Sequence, residues 1–166
     1  MRKNKKEYTC LFFGEGGSEK KFLLKLAELK KFEYHTERWI IKHDNTSGGG
    51  VEKIIENCAK AKNYYSADLS ICFVDIDQLK KVLKTHWVDE KRRLTSKYPD
   101  VVIFWQKDNL EDEIRKVLKK PGLSKRKAQS EAHKQIKKFI NSDYWKRIFR
   151  ILNKKEKELS AEKQTD

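Results

Sequence analysis

The sequence predicts an α/β fold: a central four-stranded, mainly parallel sheet flanked by helices, with extra helices at the C-terminal end. Three observations carry that prediction. Four short apolar, β-prone runs alternate with segments of helical period, the pattern of a parallel sheet built by right-handed crossovers. One of these runs, Leu69–Val74, is almost unbroken apolar sequence, as befits a strand covered on both faces. Beyond Pro121-Gly122 only helical spacing continues. One domain over 1–166 is expected, with a core at about 8–118, a helical extension at about 123–155 and a charged tail at 154–166 that frays.

The elements follow in order. Tyr8–Phe13 is the first strand, stopped by Gly14-Glu15-Gly16-Gly17. Phe22, Leu23, Leu26 and Leu29 then recur at helical spacing after Ser18, which reads as an N-cap. Arg38–Ile41 reads as the second strand, and His43–Gly50 as its polar, glycine-rich exit. Val51, Ile54, Ile55 and Cys58 mark one face of a second helix. The third strand ends at Asp75-Ile76-Asp77 and leads into one long charged helix with Leu79, Val82, Leu83 and Trp87 on its buried side. Val101–Trp105 is the fourth strand, and Leu110–Leu118 the helix after it. Ala128, Ala132, Ile136, Phe139 and Ile140, then Trp145, Ile148, Phe149 and Leu152, trace two amphipathic helices that pack on this core.

Lys and Arg together number 39 against 25 Asp and Glu, a net charge of +14. So basic a chain excludes an acidic, halophile-type surface and points to a polyanionic partner. Charged residues make up 39% and hydrophobic ones only 37%, yet 11% aromatic content with seven Gly and two Pro argues for a folded chain. Cys10, Cys58 and Cys72 form no CxxC pair, which removes a zinc ribbon and a disulfide framework. The basic start leads into an apolar run too short for a secretory leader, and no run approaches the ~20 residues of a membrane span. A cytoplasmic protein without a membrane partner is the expectation.

In an open α/β sheet, ligands bind beyond the carboxyl ends of the strands. The first strand delivers Glu15, with Glu19 in the next helical turn; the second delivers His43 and Asp44; the third, Asp75 and Asp77. The fourth delivers Asp108, followed by Glu111, Asp112 and Glu113. Carboxylates gathered at one edge of a basic protein repel, and a divalent cation relieves that repulsion. Asp75 and Asp77, two residues apart, project to the same side of an extended strand. An oxygen-only donor set favours Mg²⁺ or Mn²⁺ over zinc. Plainer roles compete: Asp77 as a helix N-cap, and Glu19, Glu111, Asp112 and Glu113 as partners of helix dipoles. Of the four histidines, His43 is the best placed to touch the site, ahead of His35, His86 and His133.

Two glycine-rich turns offer backbone N–H groups to an anion: Gly16-Gly17-Ser18, and Ser47 with Gly48-Gly49-Gly50. Neither ends in the GK[ST] of a Walker A loop, so no triphosphate site is expected. The candidates to hold phosphates without reading sequence are Lys20, Lys21, Lys42, Lys107, Lys119, Lys120, Lys125, Arg126 and Lys127. Tyr64, Trp39 and Trp105 are candidates to stack on bases, although the two tryptophans sit in strands and suit the core.

Gly14-Glu15-Gly16-x-Ser18-Glu19 after the first strand and Asp75-x-Asp77 after the third resemble the TOPRIM domain. That Rossmann-like domain has an acidic residue after its first strand and a DxD after its third. The Glu15–Glu19 variant is most similar to the TOPRIM nucleases of the OLD (overcoming lysogenization defect) and RloB-like groups, and the resemblance spans Tyr8 to Leu118. It implies a Mg²⁺- or Mn²⁺-dependent nuclease acting on DNA or RNA, in which Glu15 is a metal ligand and general acid/base and Asp75 and Asp77 are metal ligands. It further implies that Glu111, with Asp112 as its neighbour, helps hold a second metal. The chain departs from the family at Gln78-Leu79, where many members carry a glycine shortly after the DxD.

OLD proteins carry an ATPase in the same chain, so a separately encoded ATPase is the implied partner here, and phage defence the analogous role. Two other readings stand beside this one: a non-catalytic, basic nucleic-acid-binding module, and an RNA-processing TOPRIM ribonuclease. Phosphatase chemistry of the haloacid-dehalogenase type fits Phe73-Val74-Asp75-Ile76-Asp77 only superficially, because Leu79 stands where that family has Thr or Val.

Overall fold

The computed structural model describes residues 8–29, 37–46 and 48–165; His35 and Ser47 lie outside them. Its four strands are β1 (Tyr8–Gly14), β2 (Trp39–Asn45), β3 (Leu69–Asp75) and β4 (Val102–Gln106). They form one parallel sheet in the order β2-β1-β3-β4. Alternation along each strand explains why both faces must be covered. Tyr8, Cys10 and Phe12 of β1 and Leu69, Ile71 and Phe73 of β3 enter one core. Leu11, Phe13, Cys72 and Val74 enter the other. β3 is accordingly buried from Leu69 to Val74.

On the first face lie α1 (Gly17–Ala27), α5 (Leu110–Leu118), α6 (Lys125–Lys134) and α7 (Asp143–Thr165), with a 3-10 turn at Ile136–Asn141 between the last two. Phe22, Leu26, Ile114, Ala128, Tyr144 and Ile148 are their buried contributions. On the second face lie α2 (Val51–Tyr64), α3 (Ile76–Leu83) and α4 (Trp87–Lys97), which bury Ile54, Ile55, Cys58, Leu79 and Leu94. The β1-to-β2 connection runs over one face and the β2-to-β3 connection over the other. The adjacent carboxyl ends of β1 and β3 are therefore the topological switch point, where an open α/β sheet leaves a crevice for a ligand.

The structure differs from the sequence expectation in four places. The helix after β1 begins at Gly17 with Gly16 as N-cap, so Ser18 sits inside the first turn. β2 runs on through His43 and Asp44 to Asn45 because it pairs with β1 along its whole length. The single long helix expected after Asp77 is two helices, separated by a 3-10 turn that starts at Lys84, whose φ is 48°. Val82, expected on the buried side, lies on the outer face of the first of them and is 79% exposed. The tail does not fray at Lys154, since α7 continues to Thr165. Leu159 packs on the first core, Ser160 Oγ lies 3.3 Å from Tyr8 OH, and Glu156 accepts hydrogen bonds from Arg38 and Trp39 Nε1.

Candidate functional site

The carboxyl ends of β1 and β3, the segment after β4 and the first turns of α1, α3 and α5 face α6 across a cavity of about 850 Å³. Glu15, Glu19, Asp75, Asp77 and Glu111 all line it, together with the turn Gly16-Gly17-Ser18. Residues sixty positions apart meet because β1 and β3 are neighbours, with Phe13 opposite Cys72. Asp75 is the last residue of β3 and occupies the N-cap position of α3, although its side chain makes no capping bond. Asp77 is thereby in the first turn, not at the N-cap, its plainer alternative role.

Each of these acids is held by a side-chain amide. Gln78 Nε2 donates to both Glu15 oxygens at 2.7 Å. Gln106 Nε2 donates to Glu19 Oε2 at 2.9 Å and to Asp75 Oδ1 at 2.8 Å. Asn109 Nδ2 donates to Asp77 Oδ2 at 3.1 Å, while Asn109 Oδ1 caps α5 by accepting from the Asp112 N–H. Gln129 Nε2, from α6, donates to Glu111 Oε1 at 3.1 Å. Glu19 also accepts from the Glu15 N–H at 3.3 Å. Its carboxylate lies so close to the end of β1 that a Cβ on Gly14 would push the Glu19 side chain out of this position. A backbone bond from Asp77 N–H to the Asp108 carbonyl, 2.8 Å, ties the first turn of α3 to the loop after β4.

The electrostatics follow from burial and crowding. Burial pushes the Asp75 carboxyl from 3.8 up to about 7, and the nearby charges of Asp77, Glu15 and Glu111 add to the rise. Glu19 is raised from 4.5 to about 8, again first by burial and then by Asp75. Among the described residues none of the five acids is in an ion pair. Lys81, Lys125 and Arg126 on the cavity wall are likewise unpaired there, whereas Arg115 bonds Asp112 and the Leu123 carbonyl.

This donor set suits a hard divalent cation: several carboxylate oxygens, no sulfur, no imidazole, and charge left uncancelled. Among the described residues, however, no three Asp, Glu, His or Cys side chains already stand close enough to hold a metal ion. Glu15 is turned to Gln78 and Asp77 to Asn109, so closing a site around Asp75 takes side-chain rotation.

Other sequence candidates lie elsewhere. Asp112 pairs with Arg115 and does not line the cavity, Glu113 pairs with Arg147 at 2.8 Å, and Asp108 pairs with Lys80 at 3.1 Å. Asp44 accepts from Tyr65 OH. His43 packs edge-on against Phe12 and is driven down to about 4 by burial and by Lys20. Of the basic candidates only Lys125 and Arg126 reach the cavity; Lys20, Lys21, Lys42, Lys107, Lys119, Lys120 and Lys127 do not line it. Gly48, Gly49 and Gly50 are exposed outside it, the first two at φ of 80° and 103°. Trp39 is buried in the core and Trp105 is half-buried. Tyr64 is 83% exposed but ends α2, at the opposite edge of the sheet from the cavity.

Sequence reasoning missed the four amides and Tyr144, whose hydroxyl donates to Gln106 Oε1 at 2.9 Å. One signal was available for Gln106: a polar residue closing an apolar strand at the edge where the acids collect. Comparison with known proteins adds no relative, because no family model, curated protein or solved structure matches this chain. No helix among the described residues is long and apolar enough to cross a membrane.

Proposed function

We propose that this chain is a metal-dependent nuclease of the TOPRIM type, cleaving phosphodiester bonds of DNA or RNA at the acidic cavity. The observation that carries the reading is the crowding at Asp75. Burial raises its proton affinity first, and Asp77 from α3, Glu15 from the end of β1 and Glu111 from α5 add to the rise, while Lys81, Lys125 and Arg126, without ion-pair partners among the described residues, line the same wall.

Glu15, Asp75 and Asp77 would hold a Mg²⁺ or Mn²⁺ ion, with Glu111 available for a second. When bound, such an ion supplies charge neutralisation at the scissile phosphate and a polarised water. The chain's own groups do the rest. Lys81, Lys125 and Arg126 bind flanking phosphates as point charges, which confers affinity without sequence preference. Gly17 and Ser18, in the first turn of α1, line the cavity, and first-turn N–H groups suit a phosphate oxygen. Glu15, half-buried, takes the proton from an attacking water on a carboxylate oxygen. Glu19, protonated at neutral pH by its burial, adds no charge beside Asp75 and so limits repulsion in the empty site.

The test incubates purified protein with single- and double-stranded DNA and RNA and Mg²⁺ or Mn²⁺, against chelator and Asp75→Asn controls. Cleavage that needs the cation and disappears in the variant is the expected result. Cleavage that survives both controls overturns the assignment of this cavity. Binding without any cleavage favours the non-catalytic nucleic-acid-binding module.

A further inference from the structure

The acids that line the cavity and the acids just outside it have different partners. Glu111 lines the cavity and is held by Gln129; its immediate neighbours Asp112 and Glu113 are held by Arg115 and Arg147. Asp77 in the first turn of α3 is held by Asn109, whereas Asp108, whose carbonyl bonds the Asp77 N–H, is held by Lys80. Glu15, Glu19 and Asp75 complete the amide-held set. An arginine or lysine fixes a carboxylate and cancels its charge. A carboxamide N–H fixes it and leaves the charge in place.

Gln106 is the most constrained of these amides. It is fully buried, ends β4 and stands in register with Asp75 across the sheet. Both Nε2 hydrogens are committed, one to Glu19 and one to Asp75, and Oε1 accepts from Tyr144, itself only 1% exposed. The tyrosine proton sets which end of the amide faces the acids. A reversed amide would lose the Tyr144 bond and aim its oxygen at Asp75. Gln106 occupies only Oδ1 of Asp75, and no described residue bonds Oδ2.

We infer that the carboxamides keep the cavity acids oriented but uncompensated for a divalent cation, and that Gln106, locked by Tyr144, is the positioning residue that presents Asp75 Oδ2 to it. This rests on the proposed metal-dependent reading of the cavity. Partners of this kind govern affinity as well as shape, since losing one typically weakens metal binding ~10–100-fold.

The experiment is a Mn²⁺ titration followed by electron paramagnetic resonance, on wild type, Gln106→Met, Tyr144→Phe and Gln78→Lys. Each is read at a temperature where circular dichroism shows it fully folded, and Tyr144→Phe, which keeps the ring, carries the test if Gln106→Met does not fold. Gln106→Met is expected to weaken Mn²⁺ binding ~10–100-fold, and Tyr144→Phe less, by about threefold to tenfold. Gln78→Lys still donates to Glu15 but cancels its charge, and is expected to weaken binding about tenfold, which gives the scale of a charge-cancelling partner. Wild-type binding that folded Gln106→Met and Tyr144→Phe match within about twofold overturns the inference and leaves the metal-dependent reading standing. A wild type that binds no Mn²⁺ overturns both.

Discussion

Two groups of carboxylates in this molecule behave in opposite ways. On the outer surface, Glu52 of α2 accepts from Arg93 at 2.7 Å, Lys97 at 2.6 Å and Tyr98 OH at 3.1 Å. The Arg93 and Lys97 hydrogen bonds hold its carboxyl down at about 2. In the cavity, Asp75 and Glu19 meet an amide instead of cations; burial first and neighbouring acids second raise them to about 7 and about 8, against the Gln106 hydrogen bonds that pull the other way. Glu52 fastens α2 to α4 and has no charge left to offer. The cavity acids are also held by hydrogen bonds, yet no cation among the described residues pairs with them, which leaves Glu15, Asp75, Asp77 and Glu111 open to the proposed divalent ion. In this fold, the choice between cation and carboxamide partners separates structural acids from the proposed functional ones.

The sharpest way to break the comparison is Asp75→Asn, which keeps the shape and removes the charge. Cleavage is expected to fall on the order of 10³-fold, the scale of losing a group that stabilises the transition state, in the nuclease assay. The pH dependence of stability comes next. Glu19 binds its proton up to about 8 in the folded state but only to 4.5 when unfolded, so between those values the native state holds more protons and stability falls as pH rises. Asp75 acts in the same sense between 3.8 and about 7. Glu19→Gln is therefore expected to flatten the decline of the metal-free protein between pH 5 and 8 and to stabilise it at pH 8 by ~2–4 kcal/mol, discounted for relaxation of the site. Chemical denaturation across that pH range, with chelator present, measures it.

Smaller effects sharpen the contrast further. Lys125→Ala or Arg126→Ala is expected to weaken nucleic-acid binding uniformly across sequences and to reduce the slope of log affinity against log salt by about 1 each. A fluorescence-anisotropy salt series reads that slope. Glu52→Gln is expected to leave Mn²⁺ affinity unchanged and to cost at most ~1 kcal/mol at neutral pH, because the pairing is exposed. Its pH dependence has the opposite sign to that of Glu19. The Glu52 contribution is present above 4.5 and is lost as pH falls toward about 2, so only the acid limb of a melting series should move.

Much of the α/β layout was legible because it is written in periods: two for the strands, three to four for the helices. The acids were legible too, since Glu15 and Asp75-x-Asp77 stand at the ends of apolar runs that the sheet aligns. Helix breaks were less so. Lys84 adopts a positive φ without being glycine, and nothing local in Leu83-Lys84-Thr85 announces it. The docked end of α7 depends on Glu156 and Ser160 meeting Trp39 and Tyr8 more than a hundred residues away, a long-range contact that leaves no periodic trace. The amides escaped for the same reason. Gln78, Gln106 and Gln129 acquire their meaning only when α3, β4 and α6 bring them against the acids.

The central claim is that the cavity acids hold a divalent cation. Crystals grown with Mn²⁺ and measured near the manganese absorption edge test it without relying on any substrate. An anomalous peak bonded to Asp75 Oδ2, with Glu15 and Asp77 rotated toward it, is the predicted result. A cavity with no peak at saturating Mn²⁺, its amide bonds to Glu15 and Asp77 unchanged, would contradict the account.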